Sequence, residues 1–529
     1  MRVVLVAPPI MDYVSGKIRP IAQDATHNCP PYGLYLLASV LRAQGHHVKI
    51  LDLIACGTNK ILQFQSYIID ADLVGLTATS LSWPTVLDVI RQIRSLDLTV
   101  PIALGGIHAT IFDLYLLERF PIQYVIRGEG EIALPALCRA IEKKQGIDKV
   151  PNLSRKTRDG KVVRNIVAPL LTSTEIADHP LPAFDLLPGG IYQSLSIESS
   201  RGCAFDCSFC STSYRQSWRA IAPEQFVDRL IQLLPHLPKT VRRTIHIVDD
   251  EFSVNTKRAV AIVRLLEKKG LHTSFVYDAR ANDLLDDEFT KAIAPFTNQF
   301  LVGAECGYDE GLVRIGKKTT CAKLEAAAKK LYQCGVSDRA NFSFILGLPW
   351  EEKREIEKTI DFASYLYSQY GIKILLQSYC LIPGSRLWQD ERNKLVLTEA
   401  MYDDYGFFRN LHFWYVSQRL TPAEAWEIED LLQSLVWLAH LAHPGKRMIQ
   451  HTIPFLLAKY FPRSILKTSD YAVGLDSLRQ IARPSFPGAV HILEGSSGDC
   501  LTQASIGSDP IPLRPSVHSN SKQSTRSAQ

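Results

Sequence analysis

The most informative segment of the chain reads Ser200-Arg201-Gly202-Cys203-Ala204-Phe205-Asp206-Cys207-Ser208-Phe209-Cys210. Its cysteines follow the spacing Cys-x3-Cys-x2-Cys, and no fourth cysteine or metal-spaced histidine lies nearby. A closed zinc site takes four ligands, and a four-iron cluster is normally held by four cysteines. Three thiolates alone therefore predict an iron–sulfur cluster in which one iron keeps an open coordination position.

Two other interpretations of the three cysteines carry less weight. Cysteines at these offsets would share one face of a helix, where free cysteines often pack as small hydrophobes. However, the preceding Arg201-Gly202 and the polar and small residues between the cysteines indicate a loop. A disulfide with a spare thiol would suit a secreted protein, and this chain lacks the features of one.

The cysteine segment resembles the signature of the radical S-adenosylmethionine (radical SAM) superfamily. The resemblance rests on Cys203, Cys207 and Cys210, with the aromatic Phe209 before the last cysteine. It implies a 4Fe-4S cluster whose open iron chelates the amino and carboxylate groups of SAM. One electron, from an external donor such as flavodoxin or ferredoxin, then splits SAM into methionine and a 5'-deoxyadenosyl radical.

Composition describes a large globular protein. The chain has 529 residues, 46% hydrophobic and 21% charged, so two or three domains are expected. The net charge of +5 is dispersed, which gives no case for nucleic-acid or membrane binding. The N-terminus reads as a strand rather than a signal peptide, and the apolar run from Leu431 to His440 is broken by polar residues. Eleven cysteines without export signals predict a cytoplasmic protein.

The first 142 residues alternate β-branched runs with helical patterns, which predicts an α/β, Rossmann-like domain with a doubly wound parallel sheet. Leucines at helical spacing before Gly45 predict one of its helices. The expected strands are Val3 to Val6, His47 to Leu53, Asp72 to Leu76, Pro101 to Leu104 and Gln123 to Ile126. Ligands of such sheets bind beyond the carboxyl ends of the strands.

The loops at those ends resemble the cobalamin-binding domain that precedes many radical SAM domains. The implied cobalamin contacts are Tyr32, Gly33, Thr77, Thr79, Ser80, Gly105, Gly106, His108, Gly128 and Glu129. Stand-alone cobalamin domains supply a cobalt-ligating histidine from an Asp-x-His-x-x-Gly loop, and Asp24-Ala25-Thr26-His27 has the wrong spacing for one. The resemblance therefore implies a nucleotide tail inserted without histidine ligation. A degenerate domain that binds nothing is the alternative.

Four further regions follow the first domain. Residues 143–190 read as a connector, by default a solvated linker, in which Asp159 to Val163 could form a hairpin. Residues 191–390 return to a βα rhythm, and the family resemblance implies a partial barrel of six βα units. Residues 391–495 read as a mainly helical module whose aromatics form core or, less often, a lid. Residues 496–529 read as a disordered tail.

The active groups of a barrel cluster at the carboxyl ends of its strands. The strands expected here are Ser194 to Glu198, Thr244 to Val248, Thr273 to Tyr277, Phe300 to Gly303, Asn341 to Leu346 and Lys373 to Ser378. The implied SAM contacts are Phe209, Asp249, Asp250, Arg280, Glu305 and Gly347. One of the two aspartates could instead cap the next helix, and Arg280 could pair with a barrel acid. Lys317-Lys318 reads as a helix-end feature.

Together these resemblances imply a cobalamin-dependent methyltransferase for an unactivated carbon, or phosphorus, of a small-molecule or natural-product substrate. The deoxyadenosyl radical would abstract a substrate hydrogen, methylcobalamin would give its methyl group, and a second SAM would restore it. A cyclase, a rearrangement or oxidative tailoring enzyme, and a non-catalytic cobalamin or redox sensor stay open. A tRNA methylthiotransferase needs a second cysteine trio, and the first domain has only the scattered Cys29, Cys56 and Cys138.

Overall fold

The computed structural model describes two α/β units. It covers residues 1–14, 17–20, 29–96, 99–157, 159–212, 214–238, 244–392, 394, 397–405, 407, 419–420, 424 and 428. Four expectations fall largely or wholly outside these residues: the helical module 391–495, the tail 496–529, the segment Asp24 to His27 and the apolar run from Leu431 to His440. The described part of the chain contains no apolar helix of membrane-spanning length.

The first unit is a seven-stranded sheet with helices on both faces, in the strand order β4-β1-β5-β6-β7-β8-β9. Its strands, with a separate hairpin of β2 and β3, are β1 (Arg2–Ala7), β2 (Met11–Val14), β3 (Lys17–Pro20), β4 (His47–Asp52), β5 (Leu73–Thr77), β6 (Ile102–Gly105), β7 (Tyr124–Ile126), β8 (Leu153–Lys156) and β9 (Val162–Arg164). Its helices are α1 (Tyr32–Ala43), α2 (Leu53–Cys56), α3 (Gln65–Ile69), α4 (Trp83–Arg94), α5 (Ile107–Arg119), α6 (Ala133–Lys143) and α7 (Ser173–Asp178).

The five strands predicted for this unit are confirmed, and they run parallel. The register aligns Leu5 of β1 with Gly75 of β5, and Gly75 with Ala103 of β6. Because side chains at one register level of a parallel sheet point to the same face, these three form a row facing α1 and α6. Two of the three are small, so the sheet is indented there.

Part of the expected connector belongs to the first sheet. Strand β8 pairs antiparallel with β7, and β9 pairs antiparallel with β8. The buried Asp113 carboxylate of α5 ties the hairpin down, because it accepts a hydrogen bond from Ser154 Oγ at 2.6 Å and pairs with Arg164. Residues 153–164 are therefore a sheet extension rather than the solvated linker that the turn-forming residues suggested.

The second unit is an open barrel of six parallel strands in the order β10-β13-β14-β15-β16-β17, and all six expected strands are present. With the short antiparallel pair β11 and β12, its strands are β10 (Leu195–Ile197), β11 (Ser200–Arg201), β12 (Arg219–Ala220), β13 (Thr244–Ile247), β14 (Ser274–Ala279), β15 (Thr297–Glu305), β16 (Ala340–Leu346) and β17 (Lys373–Ser378). Its helices are α8 (Pro223–Leu233), α9 (Thr256–Lys268), α10 (Asp287–Ile293), α11 (Asp309–Arg314), α12 (Cys321–Gln333), α13 (Lys353–Tyr370) and α14 (Arg386–Glu391).

The segment after α14 returns to the first unit. The Asp403 carboxylate accepts hydrogen bonds from Trp83 Nε1 at 2.7 Å and from Tyr115 Oη at 2.6 Å. Tyr402 is buried and packs against Phe112. The described aromatics of this segment are therefore core, as the more common interpretation predicted, and they hold the two units together.

Candidate active site between the two units

A cavity of about 460 Å³ lies where the carboxyl edge of the first sheet meets the start of the barrel. Its walls come from both units, including Gly105 and Glu129 from the first and Arg201, Tyr214 and Asp250 from the second. Seven predicted cobalamin residues line it: Tyr32, Gly33, Thr77, Gly105, Gly106, Gly128 and Glu129. The structure thus brings most of that set to one space, next to the cysteine loop.

The end of the cavity inside the first unit is apolar. The row of Leu5, Gly75 and Ala103 forms its floor, and leucines of α1 and α6 complete it. A side chain at Gly75 would meet Leu5 Cδ2 at 2.8 Å. This groove between the sheet and two helices suits the flat aromatic tail of a nucleotide, because it offers apolar area without polar partners.

Three predicted cobalamin residues do not line the cavity. His108 is fully buried, where Nδ1 lies 3.1 Å from Ser80 Oγ and the ring stacks on Trp83. Burial lowers the pKa of His108 to about 3. Thr79 Oγ1 accepts from the Ser82 backbone amide at 3.1 Å. These side chains hold loops and core together rather than facing the cavity.

Gly106 is required by a close approach of two loops. It adopts φ +92°, and a Cβ there would lie 2.5 Å from the Ala78 carbonyl oxygen. The His108 amide donates to that same carbonyl. The glycine pair therefore lets the loops after β5 and β6 pack edge to edge at the cavity wall.

Buried charges link the first unit to the cysteine loop. Arg201 donates to both oxygens of Glu198, to Glu129 Oε1 at 3.0 Å, and pairs with Glu131 at 2.8 Å. Arg219 donates to the same Glu129 oxygen at 2.8 Å. All five side chains are at most 14% exposed. Arg201 lies two residues before Cys203, yet no sequence pattern predicted its ion pairs.

Cys203, Cys207 and Cys210 occupy one loop beside β11. The Cys203 amide donates to the Tyr214 carbonyl, and the Cys210 amide donates to the Cys207 carbonyl. Burial raises the pKa of the Cys203 thiol to about 11, with a smaller contribution from Glu251 and other neighbouring acids.

The described residues contain no group of three His, Cys, Asp or Glu side chains placed to hold a single metal ion. Three loop cysteines are a thiolate donor set of the kind that holds an iron–sulfur cluster.

The loop is also held from the barrel's last element. The Leu387 amide of α14 donates to the Ser208 carbonyl at 2.9 Å, and Arg386 Nη2 donates to the Asp206 carbonyl at 2.6 Å. The cysteine loop is therefore hydrogen-bonded to Tyr214 at its start and to α14 near its end, and these contacts define its conformation. This rigid support is what a positioned metal ligand set needs.

Asp249 and Asp250 both anchor the segment before the cysteines. Buried Asp249 accepts from the amides and hydroxyls of Ser199 and Ser200, at 2.5 to 2.9 Å. Asp250 accepts from the Gly202 amide at 3.0 Å and lines the cavity. Neither caps a helix, because Asn255 caps α9, so that alternative is wrong. Of the two, only Asp250 faces open space.

Glu305 and Lys317 form a buried ion pair next to the cysteine loop. Lys317 Nζ donates to Glu305 Oε1 at 2.7 Å and lies 6.0 Å from the centre of the Phe209 ring. Burial lowers the pKa of Lys317, but Glu305 and Cys207 more than offset it, so the pKa is raised. Glu305 adopts φ +67° at a register shift between β15 and β16. Such a backbone outlier in a site supports a functional role.

Gly303 makes room for this pair, because a Cβ there would collide with both Glu305 Oε1 and Lys317 Nζ. The main contact of Lys317 is therefore Glu305, and not a helix end as the sequence suggested. The spacing between these two residues has no periodicity that would have predicted the ion pair. Only the fold brings the two together.

Arg280 and Gly347 are already engaged by the protein. The Arg280 guanidinium lies 3.7 Å from the centre of the Phe205 ring and donates to the Lys317 carbonyl. The Gly347 amide donates to Glu351 Oε2 at 2.8 Å. Arg280 therefore braces the cysteine loop and the Lys317 turn, and its contact with SAM stays a prediction.

Two parallel α/β units that share a cavity, one of them an open barrel with a cysteine trio after its first strand, define an enzyme of the radical SAM type. The family described as "B12 binding domain" matches residues 18–138, and the "Radical SAM superfamily" matches residues 197–363. An uncharacterized methyltransferase of Pyrococcus horikoshii is 31% identical over 413 residues, covering 75% of this chain and 85% of that protein. The chain belongs to the radical SAM superfamily and carries a B12-binding domain ahead of its barrel.

More distant relatives have different named activities. The hopanoid C-3 methylase of Methylococcus capsulatus is 27% identical, covering 61% of this chain and 62% of that protein. The anaerobic magnesium-protoporphyrin IX monomethyl ester cyclase of Rubrivivax gelatinosus is 26% identical, covering 69% and 65%. The named activities therefore include both methylation and cyclisation.

Solved structures share the fold at low sequence identity. The cobalamin-dependent SAM radical enzyme OxsB, with aqua-cobalamin and SAM bound, matches with a TM-score of 0.64 and 18% identity over 94% of this chain and 79% of that chain. The methyltransferase TsrM of Kitasatospora setae, with cobalamin and a 4Fe-4S cluster bound, matches with a TM-score of 0.58 and 20% identity over 75% of each chain. The expected fold and the three expected cofactors, a 4Fe-4S cluster, SAM and cobalamin, are confirmed.

Proposed function

We propose that this chain is a cobalamin-dependent methyltransferase that acts on an unactivated carbon, or on phosphorus, of a small-molecule or natural-product substrate. The shared cavity carries the proposal, because predicted cobalamin residues and residues next to the cysteine loop line the same space. Transfer between two bound groups requires them to be held in contact and in orientation. A cavity between the units meets that requirement.

The chain's own residues divide the binding task. Cys203, Cys207 and Cys210 would hold the cluster, and the loops of Gly105, Gly106 and Gly128 with the groove at Gly75 and Ala103 would hold cobalamin. When bound, these groups supply reductive cleavage of SAM and a transferable methyl group. The proposed electron source is an external flavodoxin or ferredoxin.

Charged residues of the barrel are suited to the polar groups of SAM. The Lys317 ammonium offers positive charge for a carboxylate, and the Glu305 carboxylate offers an acceptor for ribose hydroxyls. Asp250 offers a carboxylate to the ammonium group. Glu305 and Lys317 are buried, so interactions with these two side chains are stronger than they would be in solution.

Product analysis tests the proposal. The protein is reconstituted anaerobically with iron, sulfide and hydroxocobalamin, reduced, and incubated with SAM and a metabolite extract. We expect mass spectrometry to detect both 5'-deoxyadenosine, from radical cleavage, and S-adenosylhomocysteine, from methyl loss. Cys203→Ala should abolish the first product. Deoxyadenosine alone, from protein that retains cobalamin, would contradict methyl transfer.

A cyclase is the second candidate, because the Rubrivivax gelatinosus relative covers 69% of this chain. Both activities need radical cleavage of SAM, so deoxyadenosine does not separate them. S-adenosylhomocysteine does, since a cyclase has no need to consume the methyl group. If reduced protein with an intact cluster forms neither product, a cobalamin or redox sensor becomes the better interpretation.

A further inference from the structure

The groups that position the start of the cysteine loop also form one wall of the cavity. Arg201 pairs with acids of both units, the Gly202 amide donates to Asp250, and the Cys203 amide donates to the Tyr214 carbonyl. Arg201, Asp250 and Tyr214 all line the cavity. Three consecutive residues of the loop are thus held by groups that a ligand in the cavity would contact.

The contact across the units runs through Glu129. This side chain follows β7 in the first unit, and its Oε1 accepts from Arg201 at 3.0 Å and from Arg219 at 2.8 Å. Its Oε2 accepts from the Leu171 amide at 2.7 Å. Glu129 is therefore fixed at both oxygens, and a change in its position is passed to both arginines.

We infer that Glu129 is a positioning residue that makes cobalamin loading and SAM binding interdependent, by acting through Arg201 on the cysteine loop. A ligand that fills the cavity removes water from the wall, and ion pairs strengthen as water is excluded. Stronger pairing of Arg201 orders Gly202 and Cys203, the entry to the proposed SAM-binding cluster. This inference rests on the proposed cofactor sites.

The coupling between the two ligands must be reciprocal, and this reciprocity can be measured. If cobalamin raises the affinity for SAM by some factor, SAM must raise the affinity for cobalamin by the same factor. Allosteric couplings are commonly about 5-fold to 150-fold. We expect the dissociation constant of SAM to fall by about fivefold or more when the wild-type protein is loaded with cobalamin.

Equilibrium dialysis of cluster-containing protein with SAM, with and without hydroxocobalamin, measures the coupling factor, which is the ratio of the two SAM dissociation constants. Glu129→Gln keeps the size of the side chain but removes its charge, and we expect the factor to fall below about twofold, well under the range of ordinary couplings. The matched control is Glu142→Gln, an exposed acid of the same unit that should keep the factor. Electron paramagnetic resonance of the reduced cluster gives a second readout, since loading should alter the wild-type spectrum and not that of Glu129→Gln.

Glu131→Gln is the second variant if Glu129→Gln does not fold, because it removes the other acid of the first unit that pairs with Arg201. It should also reduce the factor. The coupling alone would be overturned if wild-type protein binds SAM equally well with and without cobalamin, provided that the cluster is present in both samples and the loaded sample retains cobalamin. The coupling would also be overturned if either variant shows the same cobalamin-dependent change in SAM affinity as the wild type. Failure of the wild type to retain cobalamin would overturn the proposed function and the coupling together.

Discussion

The two units differ in the chemistry of the binding surfaces they offer. The first unit offers an apolar groove floored by Leu5, Gly75 and Ala103. The barrel instead places charged side chains beside its cysteine loop, with Lys317 and Glu305 buried as a pair. Under the proposed assignment of the sites, shape would select a large ligand with an apolar tail, and charge would select SAM. One fold type, a parallel sheet, thus serves two kinds of recognition.

The comparison predicts that the two cofactors can be removed separately, and the largest effect is expected at the cysteine loop. Cys203→Ala should abolish the cluster, because two thiolates do not hold it, while cobalamin stays bound in the other unit. Ultraviolet–visible spectra after anaerobic reconstitution measure both. The control is Cys56→Ala, an exposed cysteine of the first unit that should keep both absorbances. Joint loss of cluster and cobalamin in Cys203→Ala would show that the units are not independent.

A substitution in the groove of the first unit should weaken cobalamin binding and leave the cluster in place. Ala103→Leu fills the groove beside Gly75, so we expect cobalamin to bind at least tenfold more weakly, about 1.4 kcal/mol or more. The cluster absorbance should be unchanged. Ala103→Gly, which enlarges the groove, is the matched control and should retain cobalamin. The measurement is corrin absorbance after gel filtration. Normal cobalamin retention by Ala103→Leu would place the nucleotide tail elsewhere.

A smaller effect is expected within the barrel. Gly303→Ala pushes apart Glu305 and Lys317, so SAM should bind about tenfold more weakly, about 1.4 kcal/mol. The cluster and cobalamin should both remain. Equilibrium dialysis with SAM is the measurement. Gly189→Ala, whose added methyl group meets nothing, is the control. Unchanged SAM affinity in Gly303→Ala would remove this ion pair from the proposed SAM site.

A further prediction concerns acid sensitivity, to which His108 of the first unit and Glu351 of the barrel should contribute with opposite sign. The pKa of His108 is lowered to about 3 by burial, so stability should fall as pH drops from 6.5 towards 3. The pKa of Glu351 is raised to about 7 by burial, so its contribution should fall as pH rises from 4.5 through 7. Each slope is about 1.4 kcal/mol per pH unit.

Thermal unfolding from pH 4 to pH 8 tests both slopes. His108→Phe should reduce the loss on the acidic side, and Glu351→Gln should reduce the loss on the alkaline side. Wild-type protein measured at the same pH values is the reference. If both variants keep the wild-type pH profile, burial of these two groups does not set the pH dependence.

Strands and their loops could be predicted because their signals are local. Runs such as Val3 to Val6 identify a buried strand, and every strand predicted in the described residues was found within a few residues of its expected bounds. The hairpin of β8 and β9 was not the preferred prediction for this segment, because its strands are only four and three residues long and contain many charges. Their place in the sheet depends on pairing with β7 and on buried Asp113.

Roles of single charged residues were harder to predict. Asp249 and Asp250 are adjacent in sequence, yet one is buried under four hydrogen bonds and the other lines the cavity. Glu129 was expected to contact cobalamin, and its ion pairs with Arg201 and Arg219 were not foreseen. The partners lie 72 and 90 residues away. No local pattern encodes contacts at that separation.

The amino-acid sequence alone determined the cysteine spacing, the alternation of strands and helices, and the glycines that permit tight loops, because each is a property of neighbouring residues. From these the family, the fold class and the three cofactors followed. Tertiary structure decided which charges meet: Arg201 with Glu129, and Lys317 with Glu305. It also decided that Gly75 and Ala103 lie side by side, since pairing of distant strands sets which small residues combine into a groove.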